Sequence, residues 1–161
     1  MSKKALLIID VQNYYINSYT EKLPLKIEKY IKQTNFDYIL FAKFVNNKGS
    51  SFWNNLSWKK MCSSPDTDIC KNLLPYTKKD TVFIKSTYSI FKSKSFLRYI
   101  KKNKIAELTL CGFDTDACVL ASAYDGFDLG YKISVKNDLT ASHRGEAFTE
   151  YGLNIINGNI Q

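Results

Sequence analysis

Short apolar runs alternate along the chain with segments that have the 3.6-residue periodicity of a helix. The first run, Ala5–Ile9, is apolar at every position, which is typical of a strand covered on both faces. The pattern predicts six strands, at Ala5–Ile9, Tyr38–Val45, Thr81–Lys85, Glu107–Gly112, Tyr131–Val135 and Leu153–Ile156. It predicts helices at Leu25–Gln33, Pro65–Leu73, Ser95–Asn103, Asp116–Leu129 and His143–Tyr151. Because such elements connect by right-handed crossovers, we expect a three-layer doubly wound α/β fold, with a mainly parallel sheet and helices on both faces.

The composition limits the number of domains and the kind of partner. With 161 residues, 45% of them hydrophobic, the chain can bury one substantial core, so we expect a single domain over residues 1–161. The net charge of +8 permits weak attraction to anionic molecules. Nearly all basic residues are lysines spread along the chain, without a recognised RNA- or DNA-binding motif. We therefore expect no nucleic-acid partner.

The cysteines and the apolar runs indicate a cellular compartment. The four cysteines form no C-x-x-C pair, and the N-terminus does not resemble a secretion signal. The apolar runs are far shorter than the roughly 20 residues that cross a bilayer. We therefore expect a cytoplasmic protein that does not associate with membranes.

Residues that directly follow the predicted strands are the first candidates for a functional site. In a doubly wound sheet the ligand crevice lies beyond the carboxyl ends of the strands, where Asp10, Lys85 and the Gly112–Cys118 turn all fall. A carboxylate directly after a fully apolar strand must be paired, hydrogen-bonded or functional, although Asp10 could also cap a helix. Taken alone, Lys85 is better explained as an ordinary solvated lysine, because the chain has many lysines.

Cys118 is the candidate nucleophile. Thr115 or Asp116 can cap a helix whose first turn contains this cysteine, which places its sulfur near unpaired backbone N–H groups. Such a position lowers a thiol pKa from about 8.5 toward neutral and populates the thiolate. Taken alone, this signal is weak, and an inert buried cysteine is the more common case.

Three groups of residues carry a resemblance to a known family. They are Ile9-Asp10-Val11-Gln12-Asn13, then Lys85-x-x-Tyr88-Ser89-x-Phe91, and finally Gly112-Phe113-Asp114-Thr115-Asp116-Ala117-Cys118-Val119 followed by Ala123-x-Asp125 and Gly130-Tyr131. In this order they resemble the isochorismatase-like cysteine hydrolases, a family that includes nicotinamidases, N-carbamoylsarcosine amidases, ureidoacrylate hydrolases and isochorismatases. The resemblance covers nearly the whole chain.

The resemblance implies a fold and a set of site residues. It implies a six-stranded sheet in the order 3-2-1-4-5-6 and a catalytic triad of Asp10, Lys85 and Cys118. It also implies a cis peptide bond between Phe113 and Asp114, with the backbone N–H groups of Asp114 and Cys118 as the oxyanion hole.

The segment after the second strand bears on cofactors. Nicotinamidases of this family carry an Asp-x-His pair there that binds a metal, whereas this chain reads Phe44-Val45-Asn46-Asn47-Lys48. Its only histidine, His143, lies too far along to match. We therefore expect neither a metal nor another cofactor.

The residues around the candidate pocket are mostly aromatic. The Asn46–Ser64 connection contains Phe52, Trp53 and Trp58, which suits a wall or lid over the crevice better than a linker. The predicted substrate-binding residues are Gln12, Phe44, Phe52, Trp53, Tyr88 and Phe113. For each aromatic residue, core packing is the alternative interpretation.

These features favour a metal-independent cysteine hydrolase that cleaves a C–N bond of a small amide or ureide through a thioester. Two alternatives remain open: an isochorismatase-type vinyl-ether hydrolase, in which the aspartate supplies the proton, and a non-catalytic binding protein. The expected partner is a small-molecule substrate. A homo-oligomer is also expected, because the chain is shorter than many relatives and a second subunit could complete the pocket.

Overall fold

A computed structural model describes residues 3–161 of the chain. The strands are β1 (Lys3–Ile9), β2 (Tyr38–Phe44), β3 (Val82–Lys85), β4 (Ile105–Gly112) and β5 (Lys132–Thr140). The helices are α1 (Leu23–Gln33), α2 (Ser51–Leu56), α3 (Lys94–Lys102), α4 (Leu120–Asp128) and α5 (Glu146–Asn159). Short 3-10 turns occupy Asn13–Tyr15, Lys71–Tyr76 and Ile90–Lys92, and a single π-helical turn occupies Thr115–Val119. Among the helices described, none is long and apolar enough to cross a membrane.

The strands form one all-parallel sheet in the order β3-β2-β1-β4-β5 within the described residues. Strand β1 is central and pairs with β2 on one side and β4 on the other. The predicted α/β class and parallel sheet are confirmed, but the predicted six-stranded order 3-2-1-4-5-6 is wrong. The expected sixth strand, Leu153–Ile156, lies inside α5, where Gly152 and Ile156 are buried four residues apart on one helical face.

The predicted helix at Pro65–Leu73 is also wrong. Backbone groups there bond to the segment after β1 instead of forming a helical ladder: Asn13 N donates to Asp68 O at 2.9 Å, and Cys70 N to Val11 O at 3.0 Å. Up to Cys70 this segment therefore covers the end of β1 as turns and extended chain, and only Lys71–Leu73 belong to the 3-10 turn that follows.

The Asn46–Ser64 connection contains α2, a short helix that the sequence pattern did not predict. The Ser50 hydroxyl caps it by accepting a hydrogen bond from Trp53 N at 3.1 Å. The helix brings Phe52 against Phe44, with ring centroids 4.9 Å apart, so the connection forms a wall over the end of the sheet.

Two hydrophobic cores lie on the two faces of the sheet. On β1, Ala5, Leu7 and Ile9 point into one core, which also contains residues of α3, α4 and α5. Leu6 and Ile8 point into the other core, which contains residues of α1. Each fully buried Leu or Ile contributes about 1.5–3 kcal/mol, so the apolar β1 run stabilises both layers.

The carboxyl ends of β1 and β4 approach each other closely. A Cβ atom at Gly112 would lie 2.1 Å from the carbonyl oxygen of Ile9, and Gly112 has a φ of +114°. Only glycine tolerates both the contact and the dihedral angle. Asp10, directly after Ile9, itself adopts a φ of +51°, and this turn directs the chain away from the sheet at the site.

Helix α5 packs directly on the turn that contains Cys118. A Cβ atom at Gly152 would lie 2.8 Å from the backbone of Thr115 and Asp116, whereas one at Gly158 of the same helix meets nothing within 4 Å. The close approach at Gly152 therefore fixes the position of the turn relative to the helix.

This contact yields a matched pair of substitutions. We expect Gly152→Ala to lower the free energy of unfolding by about 1–3 kcal/mol, because the added methyl group pushes α5 from the turn. Gly158→Ala, in open space on the same helix, should raise it by up to about 1 kcal/mol. Urea denaturation of both variants measures the difference; equal effects would contradict the proposed contact.

Candidate active site

Asp10, Lys85 and Cys118 meet at the carboxyl edge of the sheet. The Lys85 Nζ atom lies 2.7 Å from Asp10 Oδ2 and 3.4 Å from Cys118 Sγ, and it donates a third hydrogen bond to Thr87 O at 2.9 Å. All three residues are buried, with exposures of 0%, 4% and 6%. A lysine ammonium thus contacts a carboxylate and a thiol in a site almost closed to water.

The strand order explains how Lys85 reaches this position. Asp10 follows β1 and Lys85 ends β3, but β2 lies between these strands. The lysine side chain crosses the end of β2 and places its Nζ 5.1 Å from the centre of the Phe44 ring. The aromatic face therefore contributes a cation–π contact to a charge that burial has deprived of water.

The Asp10–Lys85 pair stays oppositely charged because each residue offsets the burial of the other. Burial raises the pKa of the Asp10 carboxyl, and the Lys85 charge opposes that rise. Burial by itself lowers the pKa of Lys85, but the Asp10 charge and the contact with Cys118 outweigh it, so this pKa is raised. Asp10 is therefore a stronger base than an exposed aspartate.

The sequence expectation of a lowered thiol pKa at Cys118 is wrong. Burial raises the pKa of Cys118 well above its ordinary value, although the Lys85 charge opposes this. The predicted cap is also wrong, because the Thr115 hydroxyl bonds to Thr140 at 2.8 Å and Asp116 binds Arg144. A thiol whose pKa is raised in this way needs a base beside it to form the thiolate.

A base is available beside this thiol. The Oδ1 atom of Asp10 is buried and accepts no hydrogen bond from any residue in the described part of the chain. Such an unpaired oxygen is costly to bury unless it has a role. Proton transfer from the Cys118 thiol would satisfy it.

The turn after β4 has the backbone expected for an oxyanion site. The peptide bond between Phe113 and Asp114 is cis, as the resemblance implies. Val119 N and Ala117 N both donate to Asp114 O at 3.1 Å, which closes the turn around Cys118. The Asp114 N–H group has no acceptor among residues 3–161. It is therefore free to donate to a ligand.

A second pair, between Asp114 and His143, was missed by the sequence reasoning. His143 Nδ1 lies 2.6 Å from Asp114 Oδ2, and His143 N donates to Asp114 Oδ1 at 2.9 Å. The hydrogen bond with Asp114 raises the pKa of His143, although burial opposes it. The available signal was the position of the only histidine after β5, a strand whose carboxyl end lies at this same edge.

Cys118 opens onto a cavity of about 450 Å³. Its lining is mainly aromatic, with a charged side, and consists of Tyr14, Tyr15, Phe44, Phe52, Leu56, Trp58, Tyr88, Asp114, Ala117, Cys118, His143 and Arg144. Of the predicted substrate-binding residues, Phe44, Phe52 and Tyr88 are in this lining. A larger cavity of about 590 Å³ lies across Phe52, Leu56 and Tyr88, but Cys118 does not line it.

The other three predicted substrate-binding residues do not line this cavity. Phe113 is completely buried in a core, and Trp53 contacts Lys59, whose Nζ lies 5.6 Å from its ring centre. Gln12 is completely buried, and its side-chain amide forms hydrogen bonds with backbone groups only. Its Nε2 donates to Phe44 O and Thr67 O, and its Oε1 accepts from Phe44 N, each at 2.8 Å. Gln12 therefore ties the ends of β1 and β2 together.

The chain matches the isochorismatase family over nearly its full length. A family model described as the isochorismatase domain matches residues 4–160, so the chain belongs to the isochorismatase-like hydrolase family. An uncharacterised isochorismatase family protein of Bacillus subtilis (strain 168) is 26% identical, and the match covers 89% of each chain.

Two solved structures share the fold. The pyrazinamidase/nicotinamidase of Streptococcus mutans UA159 superposes with a TM-score of 0.83 at 23% identity, covering 98% of this chain and 97% of that one. The N-carbamoylsarcosine amidase of Thermoplasma acidophilum gives a TM-score of 0.80 at 20% identity, covering 96% and 93%. At these identities the likeness establishes the fold alone. The substrates that appear in the two names are those of the two neighbours.

The position of the nicotinamidase metal pair does not suit a metal in this chain. Asn46, the first polar residue after β2, uses its side-chain amide to donate to Trp58 O at 2.7 Å and Lys60 O at 3.1 Å. Its Oδ1 accepts hydrogen bonds from Asn47 N and from the Ser50 hydroxyl. Asn46 is thus committed to holding the loop. Within residues 3–161, no three His, Cys, Asp or Glu side chains cluster as metal ligands.

The Asp10–Lys85 pair yields a stability prediction. We expect Lys85→Met to lower the free energy of unfolding by about 3–5 kcal/mol at neutral pH, because it leaves the Asp10 carboxylate buried and unpaired. The deficit should shrink as the pH falls through the raised folded-state pKa of Asp10, since the protonated acid needs no partner. Denaturant titrations at several pH values measure both effects.

The matched control is Lys92→Met. Lys92 pairs with Asp125 at 3.0 Å on the surface, and its side chain is 62% exposed. This substitution should change the free energy of unfolding by less than about 1 kcal/mol. If Lys85→Met proved no more damaging than Lys92→Met, the buried pair would not have the role assigned to it.

Proposed function

We propose that the protein is a metal-independent cysteine hydrolase that cleaves the C–N bond of a small amide or ureide through a thioester. The observation that carries the proposal is the position of Lys85 Nζ, which contacts the Asp10 carboxylate at 2.7 Å and the Cys118 sulfur at 3.4 Å. Membership of the isochorismatase-like hydrolase family and the cavity onto which Cys118 opens add support.

The first step forms the nucleophile and uses it. Asp10 accepts the proton of the Cys118 thiol while the ammonium of Lys85 stabilises the thiolate that results. The sulfur attacks the carbonyl carbon of the substrate, and the carbonyl π electrons move to its oxygen. The backbone N–H groups of Asp114 and Cys118 stabilise that oxyanion, where one such donor contributes about 3 kcal/mol.

Collapse of the tetrahedral intermediate breaks the C–N bond. Protonated Asp10 returns its proton to the departing nitrogen, which leaves as ammonia or an amine, and Cys118 keeps the acyl group as a thioester. Water then attacks the thioester, with Asp10 as the base, and releases the acid and the free thiol. Asp10 thus acts twice, a role that suits the raised pKa of its buried carboxyl.

The thiol favours acyl transfer over vinyl-ether hydrolysis. Ether cleavage by proton donation needs an acid but no nucleophile, and the Asp10 carboxyl could supply that proton without Cys118. In this site, however, the sulfur lies within contact of the only buried lysine of the site and borders the cavity. A position of this kind is what a nucleophile requires.

The function is tested with Cys118→Ala. On a panel of small primary amides and ureides, we expect the unaltered protein to release ammonia, and the variant to lose at least about a thousandfold in kcat/KM. Intact-mass spectrometry of a rapidly quenched reaction should detect an acyl adduct on the unaltered protein alone.

The matched control is Cys62→Ala, which removes the exposed free cysteine. It should leave turnover and the adduct unchanged. Amide turnover that survives Cys118→Ala would rule out the thioester route, and activity on a vinyl ether that survives it would favour the ether reaction.

A further inference from the structure

Tyr15 is a buried residue of the cavity that the proposed chemical steps do not use. It lines the cavity together with Cys118, and only 8% of the residue is exposed. It ends the 3-10 turn Asn13–Tyr15, which follows Asp10 closely along the chain. A phenol carries a polar hydroxyl on an apolar ring, so a buried tyrosine normally pairs that hydroxyl with another group.

The hydroxyl of Tyr15 has no hydrogen-bond partner among residues 3–161. Its oxygen is nevertheless not sealed in the protein interior, so it faces the space of the cavity. By contrast, the buried hydroxyl of Thr20 donates to Tyr15 O at 2.6 Å, and that of Thr115 bonds to the Thr140 hydroxyl at 2.8 Å. The Tyr15 hydroxyl is therefore available to a ligand.

The Tyr15 ring is held in place before any ligand arrives. Tyr15 N donates to Gln12 O at 3.1 Å, and Tyr15 O accepts from the Thr20 hydroxyl. The ring packs edge-on against Tyr14 and His143, with centroids 5.3 Å and 5.2 Å away. Because the side chain is already ordered, a hydrogen bond from its hydroxyl to a ligand costs little further entropy.

The charges that act on the hydroxyl indicate what it can bind. Burial raises the pKa of Tyr15 most, and the charges of Asp10, Cys118 and Asp114 raise it further. The phenol therefore stays protonated and offers a donor. The same negative groups would repel an anion placed beside the hydroxyl. An uncharged acceptor suits this position better than a charged one.

The proposed mechanism places the acyl part of the substrate on this side of the cavity. The departing nitrogen takes its proton from Asp10, so it lies beside that carboxyl. The rest of the substrate then extends among the aromatic walls, where the rings of Tyr14 and Trp58 lie 5.7 Å apart and Tyr15 adjoins Tyr14. The Tyr15 hydroxyl is thus a donor facing the acyl part.

We propose that the Tyr15 hydroxyl donates a hydrogen bond to an uncharged oxygen in the acyl part of the substrate, so that it selects small amides or ureides with an ether or carbonyl group beyond the reacting carbonyl. This choice of substrate rests on the proposed function, because it assumes that the reacting carbonyl lies at Cys118. The hydrogen bond itself concerns binding and is tested without turnover.

The experiment measures binding to the Cys118→Ala protein, which holds ligands without consuming them. The probes are three pairs of neutral amides of matched shape, in which one member has an ether oxygen where the other has a CH2 group. The pairs are 3-methoxybenzamide and 3-ethylbenzamide, 4-methoxybenzamide and 4-ethylbenzamide, and methoxyacetamide and butanamide. By titration calorimetry, we expect the ether of at least one pair to bind at least about fivefold more tightly.

A second substitution in the same background identifies the donor. Tyr15→Phe removes only the hydroxyl and keeps the ring, so the ether should lose its advantage while the affinity for the CH2 partner stays within about twofold. The matched control is Tyr19→Phe, which removes the hydroxyl of a residue that is 58% exposed and outside the cavity lining. It should leave the ratio of the two affinities unchanged.

The outcomes separate this proposal from the proposed function. No ether preference in any pair, or a preference that survives Tyr15→Phe, overturns the hydrogen bond whether or not the enzyme hydrolyses amides. A preference that Tyr14→Phe abolishes and Tyr15→Phe does not would assign the donor to Tyr14 and overturn it as well. A preference that depends on Tyr15 supports the proposal even if the protein with Cys118 intact hydrolyses no amide. Circular dichroism of each variant confirms that a lost preference does not reflect unfolding.

Discussion

The contact of Lys85 with Asp10 and Cys118 is the interaction on which the site depends. A lysine buried to this extent keeps its charge only because a carboxylate lies 2.7 Å away, and because a carbonyl oxygen and a sulfur accept hydrogen bonds from its other N–H groups. That arrangement requires the ends of β1, β3 and β4 to lie at one edge, which the parallel strand order provides. The apolar burial on both faces of β1 offsets the cost of keeping these polar groups from water.

Much of the fold and of the site could be predicted because the relevant signals are local. A fully apolar run such as Ala5–Ile9 indicates a strand buried on both faces, and a charge directly after it marks the sheet edge where parallel strands place their ligands. The family resemblance added the pairing of Asp10 with Lys85 and Cys118, whose side chains lie together in the structure.

The errors arose where tertiary contacts decide the outcome. Leu153–Ile156 is short and apolar, a pattern that fits a strand or a buried helix equally well, and packing of Gly152 on the turn at Thr115 selects the helix. At Cys118 the sequence suggests a helix terminus that lowers the thiol pKa, whereas burial, which depends on the whole fold, raises it. The pairing of His143 with Asp114 was not predicted, because the two residues are 29 positions apart in the sequence.

Two ion pairs determine the electrostatics of the site: Asp10 with Lys85 is buried, whereas in Asp114 with His143 the histidine side chain is 31% exposed. Asp10 with Lys85 is neutral overall, and so is Asp114 with His143 when the histidine is protonated. In the proposed mechanism, attack by the sulfur creates negative charge on the substrate oxygen, which the backbone donors of the turn would stabilise without moving. Because Asp114 contributes its N–H to that turn and its carboxylate to His143, the histidine also holds the turn in place. The Asp114 carboxylate thus links the turn after β4 to the segment after β5.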